Sequence, residues 1–178
     1  MTTSFDQTYA VTLTPTQFAA ALRSPQFAVT RLHAAGRQDP ELISHSAAGT
    51  QVRIKARYFA RVEEMPGWMA TRFTDHGPEN HRTEEWTVTD TGLRADVVIE
   101  SLSNGGTVTA AYAITPTPTG SAWRVHGSST VKIPLLGRKI EAYIVDSLVK
   151  AYASEAEEIS AAGVLPAGSS ATGVRIGA

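Results

Sequence analysis

Residues 135–162 read LLGRKIEAYIVDSLVKAYASEAEEISAA and contain no proline. Their apolar side chains recur at spacings of three and four residues, which places them on one face of a helix. At 1.5 Å per residue, a helix of this length spans roughly 42 Å. The pattern therefore predicts a long C-terminal helix with one apolar face, formed by Leu136, Ile140, Ile144, Leu148, Ala151, Tyr152 and Ile159.

Most of the chain before this helix alternates polar and apolar residues, as β-strands do. Predicted strands cover residues 4–13, 41–48, 50–62, 81–89, 93–102, 106–115 and 121–133. Most connections between them are short and contain turn residues, so neighbouring strands are expected to be antiparallel.

Two short helices are predicted between the first two strands. Thr14 and Ser24 are each followed by proline, a pairing typical of a helix N-cap and the first helical position. The second helix is expected to end at Gly36. This order of elements predicts an α+β fold, in which a seven-stranded curved antiparallel sheet surrounds the long C-terminal helix and two short helices follow strand 1.

Composition limits the class of protein. Sixteen basic and seventeen acidic residues give a formal net charge of −1, which argues against a nucleic-acid partner. The chain has no cysteine, so disulfides and thiolate metal sites are excluded. No signal peptide or membrane-spanning run is visible, and a cytoplasmic protein is expected. Residues 1–162 are predicted to form a single domain, and the tail 163–178, rich in Gly, Ala and Ser, is predicted to be flexible.

Three short motifs carry a resemblance to a known family: TSFDQTY at 3–9, DPELISH at 39–45 and VKIPLLGRKIE at 131–141. On these motifs the chain resembles the START-like (SRPBCC, helix-grip) superfamily, which includes polyketide cyclases, birch-pollen-allergen proteins and lipid-transfer domains. It is most similar to a bacterial family of unknown function found mostly in actinobacteria (domain of unknown function 2505). The resemblance covers residues 4 to about 160 and implies a helix-grip fold. The resemblance supports a prediction of the fold more strongly than a prediction of the function, because none of the motifs is catalytic.

Strand parity predicts which side chains face the helix. Small residues in the inward set leave volume between sheet and helix, which indicates an apolar ligand pocket. The alternative is that the inward residues simply fill a core. The large members of the set are Tyr9, Val11, Ile54, Tyr58, Trp86, Val88, Val97, Ile99, Tyr112, Trp123 and Val125, and the small ones are Ala56, Ala60, Ala95, Ala110, Gly127 and Ser129.

Two charged residues share strand parity with Trp86. If Trp86 faces the cavity, Arg82 and Glu84 do so too, and they would need to be paired with each other or satisfied by a ligand. The alternatives are that the strand end frays, or that Thr83, Glu85 and Thr87 form the inner set. The predicted ligand-binding residues are Tyr58, Trp68, Arg82, Glu84, Trp86, Tyr112, Ile140, Ile144, Leu148 and Tyr152.

Neither a metal nor a cofactor is expected, because the five histidines lie in separate elements or at spacings that no helix aligns. A basic row on one strand, Arg53, Lys55, Arg57 and Arg61, has two interpretations. It is either a solvated sheet face or a weak contact for anionic membrane surfaces. The segment containing Met65, Trp68 and Met69 either adds to that contact or covers the cavity as a lid.

The leading interpretation is non-catalytic binding or transport of a small, largely apolar ligand, such as a lipid, isoprenoid or polyketide, between sheet and C-terminal helix. One alternative is a polyketide cyclase or aromatase that uses the same cavity, with Arg82, Glu84, Tyr58 and Tyr112 as candidate acids or bases. Another is an interaction module with a filled core. No residue is assigned a catalytic role, and the sequence carries no signal for an oligomeric state.

Overall fold

A computed structural model describes residues 2–103 and 105–162. The predicted flexible tail, 163–178, lies outside the described residues. The elements follow one another in the order β1 (Thr3–Val11), α1 (Pro15–Leu22), α2 (Pro25–Ala34), β2 (Gln38–Ala48), β3 (Gln51–Phe59), α3 (Gly67–Ala70), β4 (Glu79–Thr89), β5 (Gly92–Ser101), β6 (Gly106–Thr117), β7 (Gly120–Val131) and α4 (Gly137–Ala162). A short 3₁₀ turn, Val62–Glu64, precedes α3.

The strands form one seven-stranded sheet in the order β1-β7-β6-β5-β4-β3-β2. Every neighbouring pair is antiparallel. Helix α4 packs on β1, β7 and α2, and the hydroxyl of Tyr9 donates to the carbonyl of Val149 at 2.9 Å. The predicted α+β helix-grip fold, with two short helices after strand 1, is confirmed.

The two short helices begin where the Thr-Pro and Ser-Pro pairs predict. Thr14 and Gln17 form a capping box at the start of α1, each side chain bonding the other's backbone N–H. Ser24 occupies the N-cap position of α2, but its side chain makes no capping hydrogen bond. Proline at the first helical position of each helix removes one backbone N–H that would have no intrahelical partner.

Helix α4 starts two residues later than the sequence pattern predicts. Leu135 has φ +65°, a left-handed conformation that cannot continue into a right-handed helix. The turn around it is closed by a hydrogen bond from the Gly137 N–H to the Ile133 carbonyl at 2.8 Å. The side chain of Leu135 is fully exposed.

Strand β3 ends at Phe59 rather than at residue 62. The Ala60 N–H bonds the Pro78 carbonyl and the Gly77 N–H bonds the Ala60 carbonyl, so the chain leaves the ladder at this point. The segment from Val62 to Ala70 then folds into the 3₁₀ turn and α3, helical turns that the sequence pattern did not predict. Strand β2 begins at Gln38, three residues before the predicted start at residue 41. Its pairing with β3 contains two register shifts.

The interior contains two apolar clusters that meet at Ile144. The larger one includes the fully buried side chains of Phe18, Trp86, Trp123 and Tyr152, which confirms the inward parity predicted for β4 and β7. The smaller cluster lies at one end of α4 and contains Met65, Met69, Val131 and Ile140. Among the described residues, no helix has the length and hydropathy needed to span a bilayer.

Candidate functional site

Four charged side chains lie buried between the sheet and the helices. Arg31 comes from α2, Arg82 and Glu84 from β4, and Glu155 from α4, and each is at most 4% exposed. We call these four residues the charge network. Period-two geometry places Arg82 and Glu84 on the inner face together with Trp86, one of the three arrangements that the sequence left open. Two positive and two negative charges give the network a formal sum of zero.

Each arginine of the charge network contacts both carboxylates. Arg82 donates from both terminal nitrogens to Glu155, at 2.6 and 3.1 Å. Its Nε lies 2.7 Å from Glu84 Oε1, a Coulombic contact whose N–H direction is not aligned for a hydrogen bond. Arg31 reaches Glu84 at 2.9 Å and Glu155 at 3.4 Å. The cost of burying these charges is therefore offset within the protein.

The charge network controls the protonation of Glu84. Burial alone would raise the pKa of this carboxyl, but Arg31, Arg82 and the indole hydrogen bond from Trp86 outweigh burial and lower the pKa to about 2. The Trp86 Nε1 donates to Glu84 Oε2 at 2.6 Å. An ionised carboxylate that already accepts hydrogen bonds from Arg31 and Trp86 is a poor general base.

An aromatic cluster fills the interior beside the charge network. The guanidinium of Arg82 lies 5.7 Å from the ring of Tyr112 and 5.8 Å from the ring of Tyr152, within range of a cation–π interaction. The Tyr112 hydroxyl donates to the Tyr152 hydroxyl at 2.8 Å. Trp123 packs edge-on against both tyrosine rings. Much of the predicted container is therefore occupied by the protein's own side chains.

A cavity of about 60 Å³ remains beside the N-terminal half of α4, next to the smaller apolar cluster. It is large enough for water molecules, but ligand pockets usually measure about 300–1,000 Å³. Met65 and Met69 of the β3–β4 connection form part of its wall. The lining residues are Arg37, Tyr58, Ala60, Met65, Met69, Pro78, Asn80, Ile99, Ser101, Gly106, Val108, Tyr143, Ile144, Ser147 and Leu148.

A polar groove of about 410 Å³ adjoins this apolar cavity on the protein surface. The two spaces share Arg37, Tyr143 and Ser147 as lining residues. Burial raises the pKa of the Tyr143 phenol, and the nearby Arg37 opposes that rise. The phenol is therefore protonated at neutral pH and can donate a hydrogen bond. An apolar space and a polar groove therefore meet at Arg37, Tyr143 and Ser147.

The structure separates the predicted site residues into groups. Tyr58, Ile144 and Leu148 line the apolar cavity. Ile140 packs in the smaller apolar cluster, and Trp68 is 42% exposed on α3 and does not line the cavity. The remaining predicted residues belong to the charge network or the aromatic cluster: Arg82, Glu84, Trp86, Tyr112 and Tyr152.

Three charged residues of this region are not among the residues predicted from the sequence. Glu155 sits between Tyr152 and Ile159 on the apolar face of α4, and Arg31 occupies the apolar side of α2 beside Leu32. A charge within an apolar stripe is the signal that could have identified both. Arg37 lies in a short connection without periodicity and carries no such signal.

The basic row of β3 is partly neutralised. Arg53 pairs with Glu85 at 2.9 Å, and Arg57 pairs with Glu41. Both ion pairs are largely exposed, so each contributes at most about 1 kcal/mol to stability. Because of these pairs, the row presents less free positive charge than its sequence indicates.

Several solved structures share this fold at low sequence identity. Protein Ms6760 from Mycobacterium smegmatis has a TM-score of 0.56 at 11% identity, covering 89% of this chain and 89% of that chain. The Zhui aromatase/cyclase from Streptomyces sp. R1128 has a TM-score of 0.57 at 7% identity, covering 89% of this chain and 94% of that chain. A START superfamily protein from Mycobacterium smegmatis has a TM-score of 0.51 at 10% identity, covering 88% and 98%. These likenesses establish the START-like fold alone.

No curated protein matches the chain. A family model described as a protein of unknown function (DUF2505) matches residues 5–161. Because that match runs from β1 to the last turn of α4, the chain belongs to this family.

Proposed function

We propose that this protein binds a small, largely apolar molecule without transforming it, in the apolar cavity between α4 and the ends of β3, β5 and β6. The observation that carries the proposal is the cavity itself, walled by Ile99, Val108, Ile144 and Leu148. Close-packed interiors rarely keep such space. A void of about 60 Å³ costs about 1–2 kcal/mol when it is empty.

Ligand entry requires the cavity to widen, because its volume is below the usual range for ligand pockets. Met65 and Met69 are the side chains suited to move, since methionine is unbranched and adapts to irregular space. Their segment joins the sheet through the Ala60–Pro78 and Gly77–Ala60 backbone hydrogen bonds. In this proposal the β3–β4 connection is the lid, and the described conformation is the closed one.

Binding is favoured over catalysis by the state of the nearby ionisable groups. The carboxylates of Glu84 and Glu155 are held in the charge network and are at most 2% exposed. Burial raises the pKa of the Tyr58 phenol, and Arg37 and Arg82 oppose that rise, so the phenol stays protonated at neutral pH and is not available as a base. A cyclase that removes a proton would need a free base at the cavity.

The test is binding of N-phenyl-1-naphthylamine, a neutral apolar dye, followed by its fluorescence. The Ile144→Phe variant fills the cavity and should raise the dissociation constant at least tenfold. The control is Val149→Phe, which adds similar bulk on the same helix away from the cavity and should change binding less than twofold. Equal binding by both variants, with unchanged melting temperatures, would contradict the proposal. Native mass spectrometry of protein purified from its own host would then identify the natural ligand.

We further propose that the cavity end of the molecule makes weak contact with membrane surfaces. Trp68, Leu102 and Leu135 are 42%, 59% and 101% exposed. They lie in connections that follow β3, β5 and β7, three strands that run in the same direction. These apolar side chains therefore project from the same end of the sheet, and tryptophan is favoured at lipid interfaces.

A further inference from the structure

We propose that Arg37 anchors a ligand carboxylate, so that the molecule bound by this protein is an acidic amphiphile with one carboxylate on an apolar body. This inference rests on the proposed binding function and assigns the class of ligand. It also places the polar anchor at a different residue from Arg82 and Glu84.

The surroundings of Arg37 differ from those of the other buried arginines. Arg31 and Arg82 each contact two carboxylates of the charge network. Arg37 is 8% exposed, yet among the described residues its side chain makes no hydrogen bond and no ion pair. Its guanidinium carbon lies 5.3 Å from the centre of the Tyr58 ring. The largely buried guanidinium faces the polar groove without a paired carboxylate in the described part of the chain, so an anionic ligand there would gain a charge-assisted hydrogen bond without breaking an existing ion pair.

The position of Arg37 suits the head of an amphiphile. The residue follows the C-terminus of α2 directly after Gly36, whose φ of +71° turns the chain. Its backbone N–H bonds the Leu32 carbonyl at 3.0 Å, which holds it in place. Since Arg37 lines both the apolar cavity and the polar groove, a head group on Arg37 would direct an attached apolar body into the cavity. Tyr143 and Ser147 lie at the same boundary and offer hydroxyl donors.

The local charge favours a monoanion. In the polar groove Asp146 is paired with Lys150 at 2.7 Å, which leaves Arg37 and the exposed Glu64 without an ion pair among the described residues. One carboxylate on Arg37 balances one positive charge and fits the planar fork of the guanidinium. A phosphate dianion would add excess negative charge beside Glu64 and Asp146. A carboxylate is therefore the preferred head group.

The experiment compares octanoate, octanol and octyl phosphate by isothermal titration calorimetry at pH 7.5. The wild-type protein should bind octanoate at least tenfold more tightly than octanol or octyl phosphate. Arg37→Gln should weaken octanoate at least tenfold and leave octanol within twofold. Arg37→Lys, which keeps the charge and loses the planar fork, should give an intermediate affinity. Arg61→Gln is the control for net charge, because Arg61 is exposed and away from both spaces, and it should leave octanoate unchanged.

The outcomes separate the two proposals. Equal affinity of the wild-type protein for octanoate and octanol, or octanoate binding that Arg37→Gln leaves unchanged, would overturn the anchor while the cavity remains a binding site. No binding of octanoate, octanol or the neutral dye would overturn the proposed function, and the anchor with it. Tighter binding of octyl phosphate would overturn the choice of carboxylate. The ligand-free Arg37→Gln variant should melt no lower than wild type, since a merely structural arginine would lower the melting temperature when replaced.

Discussion

Glu84 shows how a charged side chain is kept ionised inside this protein. It accepts hydrogen bonds from Arg31 and Trp86 and lies against Arg82. The second carboxylate of the charge network, Glu155, forms ion pairs with Arg82 and Arg31. A neutral network of this kind is sensitive to the loss of one member, because the remaining charges are left buried and uncompensated.

We therefore predict that Glu84→Gln lowers the free energy of unfolding at pH 7 by about 3–5 kcal/mol. The deficit should depend on pH. The pKa of Glu84 is lowered from 4.5 to about 2 in the folded protein, so the carboxylate stabilises the fold fully above pH 4.5. That stabilisation, roughly 3 kcal/mol, is lost as the pH falls from 4.5 towards 2. The difference between wild type and Glu84→Gln, measured by urea unfolding, should shrink over the same interval.

Glu85→Gln is the matched control, because Glu85 is the next residue of β4 and its ion pair with Arg53 is exposed. This substitution should cost at most about 1 kcal/mol. A pH-independent deficit for Glu84→Gln, or a deficit no larger than that of Glu85→Gln, would show that the charge network does not hold Glu84 as described.

Helix α4 combines a packing role and a cavity role along one apolar face. Ile159 is fully buried in the larger cluster, whereas Ile144 lines the apolar cavity and is partly buried. Between them, Tyr152 and Glu155 join the helix to the aromatic cluster and the charge network. Residues with the same helical spacing therefore lie in two environments, the close-packed larger cluster and the wall of the apolar cavity.

This difference predicts unequal effects of the same substitution. Ile159→Ala should lower the free energy of unfolding by about 2–5 kcal/mol, because the site is close-packed. Ile144→Ala should cost less than half as much, since its side chain borders existing space, and it should change the affinity for the neutral dye. Urea unfolding and dye titration of both variants provide the measurement. Equal losses of stability with unchanged dye binding would mean that the interior around Ile144 is filled.

At the scale of the whole molecule, the antiparallel order brings the apolar cavity and three exposed apolar side chains to the same end of the sheet. Tyr58 at the end of β3 and Ile99 near the end of β5 line the cavity. Trp68, Leu102 and Leu135 follow β3, β5 and β7. If this end contacts a bilayer, the proposed lid lies against the membrane, which is a source of amphiphilic ligands.

We predict that the protein binds weakly to vesicles containing anionic lipid, with a blue shift of tryptophan emission as Trp68 enters the interface. The double variant Leu102→Ser with Leu135→Ser should reduce co-sedimentation at least threefold, because it removes two apolar contacts from that end. Ile43→Ser is the control, since Ile43 is 45% exposed on the edge strand β2. The proposal fails if the double variant and the control sediment with vesicles to the same extent.

The sequence alone was sufficient for the seven strands, for α1, α2 and α4, and for most of the faces that they bury. The spacing of residues 136–159 predicted α4, Thr14 with Pro15 predicted the start of α1, and period-two alternation put Arg82 and Glu84 on the same side as Trp86. These properties are local, because helix and strand periodicity depend on residues within a few positions of each other. The departures included Leu135, where a left-handed backbone delays α4, and the segment after Phe59, where backbone hydrogen bonds of Ala60 with Gly77 and Pro78 accompany the end of β3.

The tertiary structure alone decided which residues meet and what space they leave. Arg31 lies 53 residues from Glu84 and 124 from Glu155, and a periodic pattern specifies a face but not a partner across the core. The volume of the cavity depends on how Trp123, Tyr112, Tyr152 and the methionines pack, which no single element determines. Arg37 is buried because residues of α2, β3 and α4 converge around it, and among the described residues it forms no ion pair. For these reasons the fold could be predicted from the chain, whereas the candidate anchor emerged from the packing of elements that are distant in sequence.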